Sequence, residues 1–265
     1  MSFERVAAHL KIGNQQLDYK WLGAAPAEAP TLVFLHEGLG SVSMWRDFPK
    51  RVVEATGCGA LVYSRAGYGD SDPVDLPRTV RFMHDEALIT LPKVLDALSI
   101  REAILIGHSD GGSIALIHAG GTKDARVRGL ILEAPHVFVE EHGIKRISAI
   151  ALEYRNGDLR RRLKRHHGQN VDCAFWGWNG VWLDPEFRSW NIEEYLPQIN
   201  VPVMVIQGVD DQYGTWRQVE AIERGSAGHV RTTLFEDCGH SPHRDQPEAT
   251  LRAVIEFLRE ELQIG

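Results

Sequence analysis

Ser109 lies in a sequence context that could make it a nucleophile. It is the middle residue of GHSDG, residues 107–111, which directly follows the apolar run AILI. This fits the G-x-S-x-G pattern, in which a serine occupies a tight turn between a strand and a helix. A hydroxyl is a weak nucleophile near neutral pH, so it needs a nearby base and a third group that orients the base. The pattern predicts a catalytic serine, with an ordinary turn serine as the alternative.

Residues that could serve as these partners follow later in the chain. Asp210 and Asp211 end the stretch VMVIQGVDD, and His240 lies in DCGHSPHRDQP, before a C-terminal helical pattern. Serine, acid and histidine, in this order, recur in catalytic triads that perform acyl transfer. Such chemistry needs no metal or organic cofactor, and no group of histidines has metal-ligand spacing. We therefore expect neither a cofactor nor a metal.

Short apolar runs alternate with helical patterns and must position these residues. The runs TLVFLH, ALVYSR, AILIGH, GLILEA, PVMVIQG and RTTLFE are typical of strands covered on both faces. HDEALITLPKVLDALSI and PEATLRAVIEFLREELQ repeat apolar residues at helical spacing, and GGSIALIHAGG predicts a helix that ends at Gly120 and Gly121. FERVAAHLKI and QQLDYKWLG predict an N-terminal hairpin. The pattern predicts an α/β fold, a mostly parallel β-sheet with helices on both faces.

One long interval interrupts this alternation. Residues 137–196 contain no strand-like run, so we interpret them as a helical cap inserted after the sixth strand of a core formed by residues 1–136 and 197–265. The insertion contains CAFWGWNGVWLDPEFRSW, in which some rings are expected to line an apolar pocket beside the serine and others to join cap and core. The candidate substrate-binding residues in and beside the insertion are His136, Trp176, Trp178 and Trp182.

A basic segment of the insertion, RNGDLRRRLKRHH, has two interpretations. Leu159 and Leu163 stand at the i, i+4 spacing of a helix, with arginines and a lysine around them. The segment is then a solvated helix whose long side chains cover apolar surface. The alternative is a surface that attracts an anionic substrate.

Composition and charge exclude several classes of function. A chain of 265 residues with 43 % hydrophobic side chains can bury one main core. A net charge of -7 gives no electrostatic reason to bind nucleic acid or an anionic membrane. MSFERVAAHL lacks the apolar segment of a signal peptide, and no later run reaches the ~20 apolar residues of a membrane span. Three cysteines without CxxC spacing fit reduced thiols, so we predict a cytoplasmic protein and leave open a homodimer.

Five motifs together resemble the α/β-hydrolase superfamily, in particular its small soluble esterases and the carbon–carbon bond hydrolases of aromatic degradation. They are HEGLGS, YSRAGYGDSD, GHSDGGS, QGVDD and CGHSPH, and the resemblance covers nearly the whole chain. It implies that Asp211 rather than Asp210 is the acid and that His240 is the base. It leaves Glu133 as a rival acid and His243 as a rival base.

The same resemblance implies an oxyanion hole. Its two donors are the backbone N–H groups of Gly38 and Asp110, which would stabilise the negative charge that develops on the substrate carbonyl oxygen. Glu37 stands where the family usually has glycine. Because a carboxylate in the hole would oppose that charge, we expect Glu37 to face away and to pair with Arg65. The alternative is that Glu37 contacts a donor on the substrate, so it is a further candidate substrate-binding residue.

The predicted function is that of a serine hydrolase. It would cleave a carboxylic ester of a small to medium apolar or aromatic substrate through an acyl-enzyme, with the small-molecule ester and water as its partners. One alternative is a carbon–carbon bond hydrolase that acts on a vinylogous diketone ring-fission product, and another is a ligand-binding protein that keeps the hydrolase shell. Epoxide hydrolases and haloalkane dehalogenases of this fold need an aspartate nucleophile, so Ser109 argues against both.

Overall fold

The computed structural model describes residues 8–265 and contains one mostly parallel sheet. Its eight strands are β1 (Ala8–Ile12), β2 (Gln15–Gly23), β3 (Thr31–Leu35), β4 (Gly59–Tyr63), β5 (Ala103–His108), β6 (Val127–Glu133), β7 (Val203–Gly208) and β8 (Val230–Phe235). Their order across the sheet is β1-β2-β4-β3-β5-β6-β7-β8. The β1–β2 and β2–β4 pairs are antiparallel and the others parallel. The predicted hairpin is confirmed from Ala8 onward, and its first residues lie outside the described part.

Helices cover both faces of the sheet, as predicted. The helices are α1 (Phe48–Thr56), α2 (Phe82–Asp85), α3 (Leu91–Ala97), α4 (Asp110–Thr122), α5 (Glu141–Asn156), α6 (Leu159–His167), α7 (Val171–Trp182), α8 (Trp216–Gly225), α9 (Pro242–Asp245) and α10 (Pro247–Leu262). Leu32 and Phe34 of β3 pack with α1 and α10, whereas Val33 and Leu35 pack with α3, α4 and α8. This alternation follows from the two-residue period of a strand. Within residues 8–265, no helix is long and apolar enough to cross a membrane.

Three helices, α5, α6 and α7, stand between β6 and β7 and are called the inserted helices below. Their apolar side chains, among them Ile147, Leu163 and Phe175, belong to the same buried cluster as one face of the sheet. The inserted helices therefore pack over the sheet rather than extend into solvent. The division of the chain into a core and a cap of residues 137–196 stays a prediction.

Helix α4, which begins directly after Ser109, corrects one detail of the sequence analysis. It continues past Gly120 and Gly121 to Thr122, and Lys123 then adopts a left-handed conformation with φ of 52°. A Cβ atom at Gly120 would overlap the main-chain oxygen of Tyr195. These glycines therefore allow neighbouring segments to pack closely against α4, and they do not end the helix.

Candidate active site

The turn that carries Ser109 joins β5 to α4. Ser109 has φ of 52° and ψ of -119°, a region that side chains other than glycine rarely occupy. Its N–H donates to the main-chain oxygen of Glu133 at 2.9 Å, which holds the turn against the neighbouring strand β6. A Cβ atom at Gly107 would overlap the backbone of Gly111, and one at Gly111 would overlap the main-chain oxygen of Leu35. The glycines on both sides of the serine are therefore required by the close backbone.

We expect Gly111→Ala to destabilise the protein by about 3 kcal/mol or to prevent folding, because rigid backbone stands where the methyl group must go. Gly180→Ala is the matched control, since a Cβ atom at this exposed position of α7 meets nothing within 4 Å. Removing glycine from a helix should there stabilise by up to about 1 kcal/mol. Urea unfolding of both variants measures the difference. Equal unfolding midpoints would contradict the packing of the turn.

Three side chains that are far apart in the chain meet at this turn. His240 Nε2 lies 2.9 Å from Ser109 Oγ. His240 Nδ1 lies 2.9 Å from Oδ1 and 2.8 Å from Oδ2 of Asp211. These distances would let the imidazole accept the serine proton on one nitrogen while the carboxylate holds the N–H on the other. The arrangement can therefore perform base-assisted nucleophilic attack.

The carboxylate of Asp211 is surrounded by donors. Besides His240, the Nε2 amide of Gln207 donates to Oδ2 at 2.7 Å, and the backbone N–H groups of Tyr213 and Gly214 donate to Oδ1 at 2.7 and 3.2 Å. Burial raises the pKa of Asp211, but the charge and hydrogen bond of His240 and the Tyr213 N–H outweigh it and hold the pKa below its usual range. Asp211 therefore stays ionised. Sequence reasoning missed Gln207 and Tyr213, although a glutamine in the buried run VMVIQG was a signal.

The rival acids and the rival base lie in other surroundings. Asp210 is exposed, whereas Asp211 is 9 % exposed. Glu133 accepts hydrogen bonds from the backbone N–H of His243 at 3.0 Å and from its Nδ1 at 2.8 Å. Burial raises the pKa of Glu133, but the charge of His243 outweighs it and leaves the pKa lowered. Glu133 and His243 thus form a buried pair of their own.

The two predicted oxyanion donors both border the cavity beside Ser109. Asp110 is the first residue of α4, so its N–H has no acceptor within the helix and is free to meet a substrate oxygen. Gly38 packs directly under the indole of Trp178, because a Cβ atom there would overlap that ring. The inserted helices therefore cover the loop that carries the Gly38 N–H.

The side chain of Glu37 has a different partner from the one predicted. Its Oε2 lies 3.5 Å from Nδ1 of His108, whereas Arg65 donates to the main-chain oxygens of His36 and Glu37. Burial raises the pKa of Glu37 and lowers that of His108, but their mutual contact outweighs both effects, so the pKa of the acid is lowered and that of the histidine raised. Glu37 is thus a carboxylate balanced by His108, and the prediction of a pair with Arg65 is wrong.

A cavity of about 430 Å³ opens beside Ser109 and His240. Of the predicted substrate-binding residues, Glu37, His136, Trp178 and Trp182 border it, whereas Trp176 does not and instead contacts Tyr154, Phe175 and Arg155. The spacing explains the difference, because residues four apart share one face of a helix and residues two apart do not. The other apolar residues of the cavity wall are Leu39, Met44, Ile147, Ile150, Leu159 and Leu163.

The basic residues of α6 are largely engaged within the chain. Arg160 pairs with Asp172 at 2.6 Å, and Arg161 with Asp158 at 3.0 Å. Arg162, which borders the cavity, pairs with Glu153 at 2.7 Å. These contacts fit the interpretation of a solvated helix better than that of a free cationic surface. Among residues 8–265 there is no group of three or more histidine, cysteine or acidic side chains that could hold a metal.

The fold and the turn at Ser109 define a class of proteins. A model of the Alpha/beta hydrolase family matches residues 32–253, so the chain belongs to this family. Proteins that are similar to the chain include a 2-hydroxy-6-oxo-6-phenylhexa-2,4-dienoate hydrolase of Comamonas testosteroni, 23% identical over 88% of this chain and 89% of the relative. A proline iminopeptidase of Lactobacillus delbrueckii subsp. bulgaricus is 29% identical over 88% of this chain and 91% of its own.

A solved structure agrees with this placement. The esterase EaEST from Exiguobacterium antarcticum superposes with a TM-score of 0.77 at 20% identity. The superposition covers 96% of this chain and 100% of the esterase. At this identity the likeness shows the fold alone. The proteins that are similar to this chain thus carry different enzyme names, which are a dienoate hydrolase, a proline iminopeptidase and an esterase.

Proposed function

We propose that this protein is a serine hydrolase that cleaves a carboxylic ester through an acyl-enzyme intermediate. The observation that carries the proposal is the chain of contacts from Ser109 Oγ to His240 Nε2 at 2.9 Å and from His240 Nδ1 to Asp211 at 2.8 Å. Its position at the base of a cavity supports access by a small substrate. A binding protein that kept the hydrolase shell would have no need for these two contacts.

The proposed mechanism has two acyl-transfer steps. His240 takes the proton of Ser109 as the hydroxyl oxygen attacks the ester carbonyl, and the N–H groups of Gly38 and Asp110 stabilise the negative oxygen of the tetrahedral intermediate. The intermediate collapses as His240 returns the proton to the departing alcohol. Water then attacks the acyl-enzyme with the same assistance, and the acid leaves as Ser109 regains its proton. Asp211 holds the imidazole tautomer and stabilises its cation throughout.

The cavity wall supports a small to medium apolar or aromatic substrate. Trp178 and Trp182 supply flat apolar area, and the aliphatic residues of α5 and α6 supply the rest. In this proposal residues 137–196 are the cap that shapes the binding site, and residues 1–136 and 197–265 are the core that carries the catalytic groups. The proposed partners are the ester and water.

Pre-steady-state release of nitrophenol from a nitrophenyl ester tests the acyl-enzyme directly. With an ester whose acyl-enzyme is hydrolysed more slowly than it forms, we expect a burst whose amplitude equals the concentration of enzyme, because the first acyl transfer releases the alcohol before water completes the cycle. The burst should disappear in Ser109→Ala. Ester cleavage at a constant rate, unchanged by this substitution, would contradict the proposal.

A second candidate is hydrolysis of a carbon–carbon bond. The similarity to the Comamonas testosteroni hydrolase favours it, because that protein covers most of this chain and its named substrate is a dienoate. The same three side chains could serve this reaction. A panel of acyl chain lengths, aryl esters and a ring-fission dienoate separates the two candidates. Cleavage of the dienoate with kcat/KM above that of every ester would replace the ester by the carbon–carbon bond in the proposal.

A further inference from the structure

The carboxyl group of Asp110 has no part in the mechanism proposed above, which uses only its backbone N–H. The residue is 0% exposed and borders the cavity directly after Ser109. Its Oδ1 accepts a hydrogen bond from Nε1 of Trp182 at 3.2 Å. Its Oδ2 has no hydrogen-bond partner among residues 8–265. A buried carboxylate oxygen without a partner destabilises a fold, so the fold does not explain this group.

The charges around Asp110 leave it ionised near neutral pH. Burial raises its pKa to about 6 and the charge of Glu37 acts in the same direction, whereas Arg65, the Trp182 hydrogen bond and His240 lower it. Because this pKa lies below neutral pH, most molecules hold a carboxylate at pH 7.5. A buried carboxyl group with a perturbed pKa in a cleft is typical of a functional site.

Three arginines, Arg146, Arg162 and Arg244, border the same cavity, but the side chain that contacts the carboxylate of Asp110 is uncharged. Glu37 is balanced by His108, whereas the side-chain contact of Asp110 is with an uncharged indole. Burial lowers the pKa of His136 to about 4, so this neighbour of Trp182 is uncharged at neutral pH. Oδ2 of Asp110 is thus a negative acceptor without a hydrogen-bond partner among the described residues, and Arg65 acts on the carboxylate only through its charge.

We propose that Oδ2 of Asp110 binds an ammonium group of the substrate, carried close to the scissile carbonyl as in an α-amino acyl ester. The ammonium group is placed near the scissile carbonyl because one residue contacts both. The backbone N–H of Asp110 is the proposed donor to the carbonyl oxygen of the same acyl group. An ammonium group would supply the hydrogen bond that Oδ2 lacks and a positive charge in direct contact with it. The inference rests on the proposed serine hydrolase function and names its substrate class.

Three esters of one alcohol and similar shape test this subsite. They are the benzyl esters of alanine, lactic acid and isobutyric acid, which place an ammonium group, a hydroxyl group and a methyl group at the same carbon. We expect Asp110→Asn to lower kcat/KM for the alanine ester roughly tenfold to a hundredfold relative to the isobutyrate ester. The lactate ester should change less than the alanine ester, because it carries no charge. Comparing ratios between variants cancels the intrinsic reactivity of the esters.

Asp75→Asn is the matched control, since it makes the same chemical change at an exposed aspartate that does not border the cavity. We expect it to leave the alanine-to-isobutyrate ratio unchanged. If Asp110→Asn does not fold, Asp110→Ser serves in its place. All three esters could be cleaved in a reaction that depends on Ser109 while the variant at position 110 leaves the alanine-to-isobutyrate ratio of kcat/KM unaltered. That outcome overturns the subsite alone. If none of the three esters is cleaved in a reaction that depends on Ser109, the proposed function is overturned, and the subsite with it.

Unfolding measurements at two pH values test whether an ionised carboxylate is held there. The pKa of Asp110 is about 6 in the folded chain against 3.8 for an ordinary aspartate, so the folded state binds this proton more tightly. Lowering the pH from 8 to 5 therefore stabilises the wild type relative to Asp110→Asn. We expect the unfolding midpoint of the variant to exceed that of the wild type by more at pH 8 than at pH 5. An equal difference at both values would remove the premise of the subsite.

Discussion

Ser109→Ala should reduce kcat for ester cleavage by at least about ten-thousandfold while the protein stays folded. The substitution removes only the hydroxyl group, whose oxygen lies 2.9 Å from Nε2 of His240. The small amount of activity that survives would come from the N–H groups of Gly38 and Asp110, which still stabilise a tetrahedral intermediate formed by water. Initial rates with a nitrophenyl ester, together with circular dichroism, measure both parts of this expectation.

The control for this substitution is Ser189→Ala. Ser189 is exposed and its hydroxyl donates to the main-chain oxygen of Glu186 at 3.2 Å, so the same chemical change is made away from the cavity. Its kcat should stay within about twofold of the wild type, because surface substitutions of this kind have small effects. A folded Ser109→Ala protein with the turnover of this control would contradict the proposed mechanism.

Asp211→Asn should reduce kcat about ten-thousandfold, with a smaller change in KM. An amide at this position can donate to Nδ1 of His240, which favours the tautomer that presents N–H rather than a lone pair to Ser109. It also removes the negative charge that stabilises the imidazolium formed as the serine proton moves. The pH dependence of kcat measured beside the rate separates this loss from a structural defect.

Asp210→Asn is the matched comparison for the acid. The two aspartates are adjacent, but Asp210 is exposed and only Asp211 contacts the imidazole. We expect Asp210→Asn to retain most of the wild-type kcat. A greater loss at position 210 than at position 211 would reverse the assignment of the acid.

The sheet could be predicted because its strands are short apolar runs, as expected where helices cover both faces of a sheet. The residues that meet at Ser109 could be predicted because their types and order follow the pattern of a known family. Their roles stay proposals. What the pattern could not predict was which side chains fill the space around them. Gln207, which donates to Asp211, stands four residues before it on a strand, and no spacing rule connects an amide on β7 with a carboxylate in the following loop.

The partner of Glu37 shows the same limit. The expectation of Arg65 considered only charge, whereas the structure sends the Arg65 guanidinium to two main-chain oxygens and places His108 of the adjacent strand beside the carboxylate. Gly40 makes this arrangement possible, because a Cβ atom there would overlap Oε2 of Glu37. Such choices depend on packing between β3 and β5, which the sequence specifies only through the complete fold.

Labelling with a fluorophosphonate, followed by intact-mass and peptide analysis, tests most directly whether Ser109 is a base-activated nucleophile. Its oxygen should displace fluoride from phosphorus and leave one adduct, carried by the peptide that contains Ser109. The rate of labelling should fall by orders of magnitude in His240→Ala, because the proton of the attacking hydroxyl then has no acceptor. An adduct at another residue, or rapid ester cleavage by protein fully labelled at Ser109, would contradict the account.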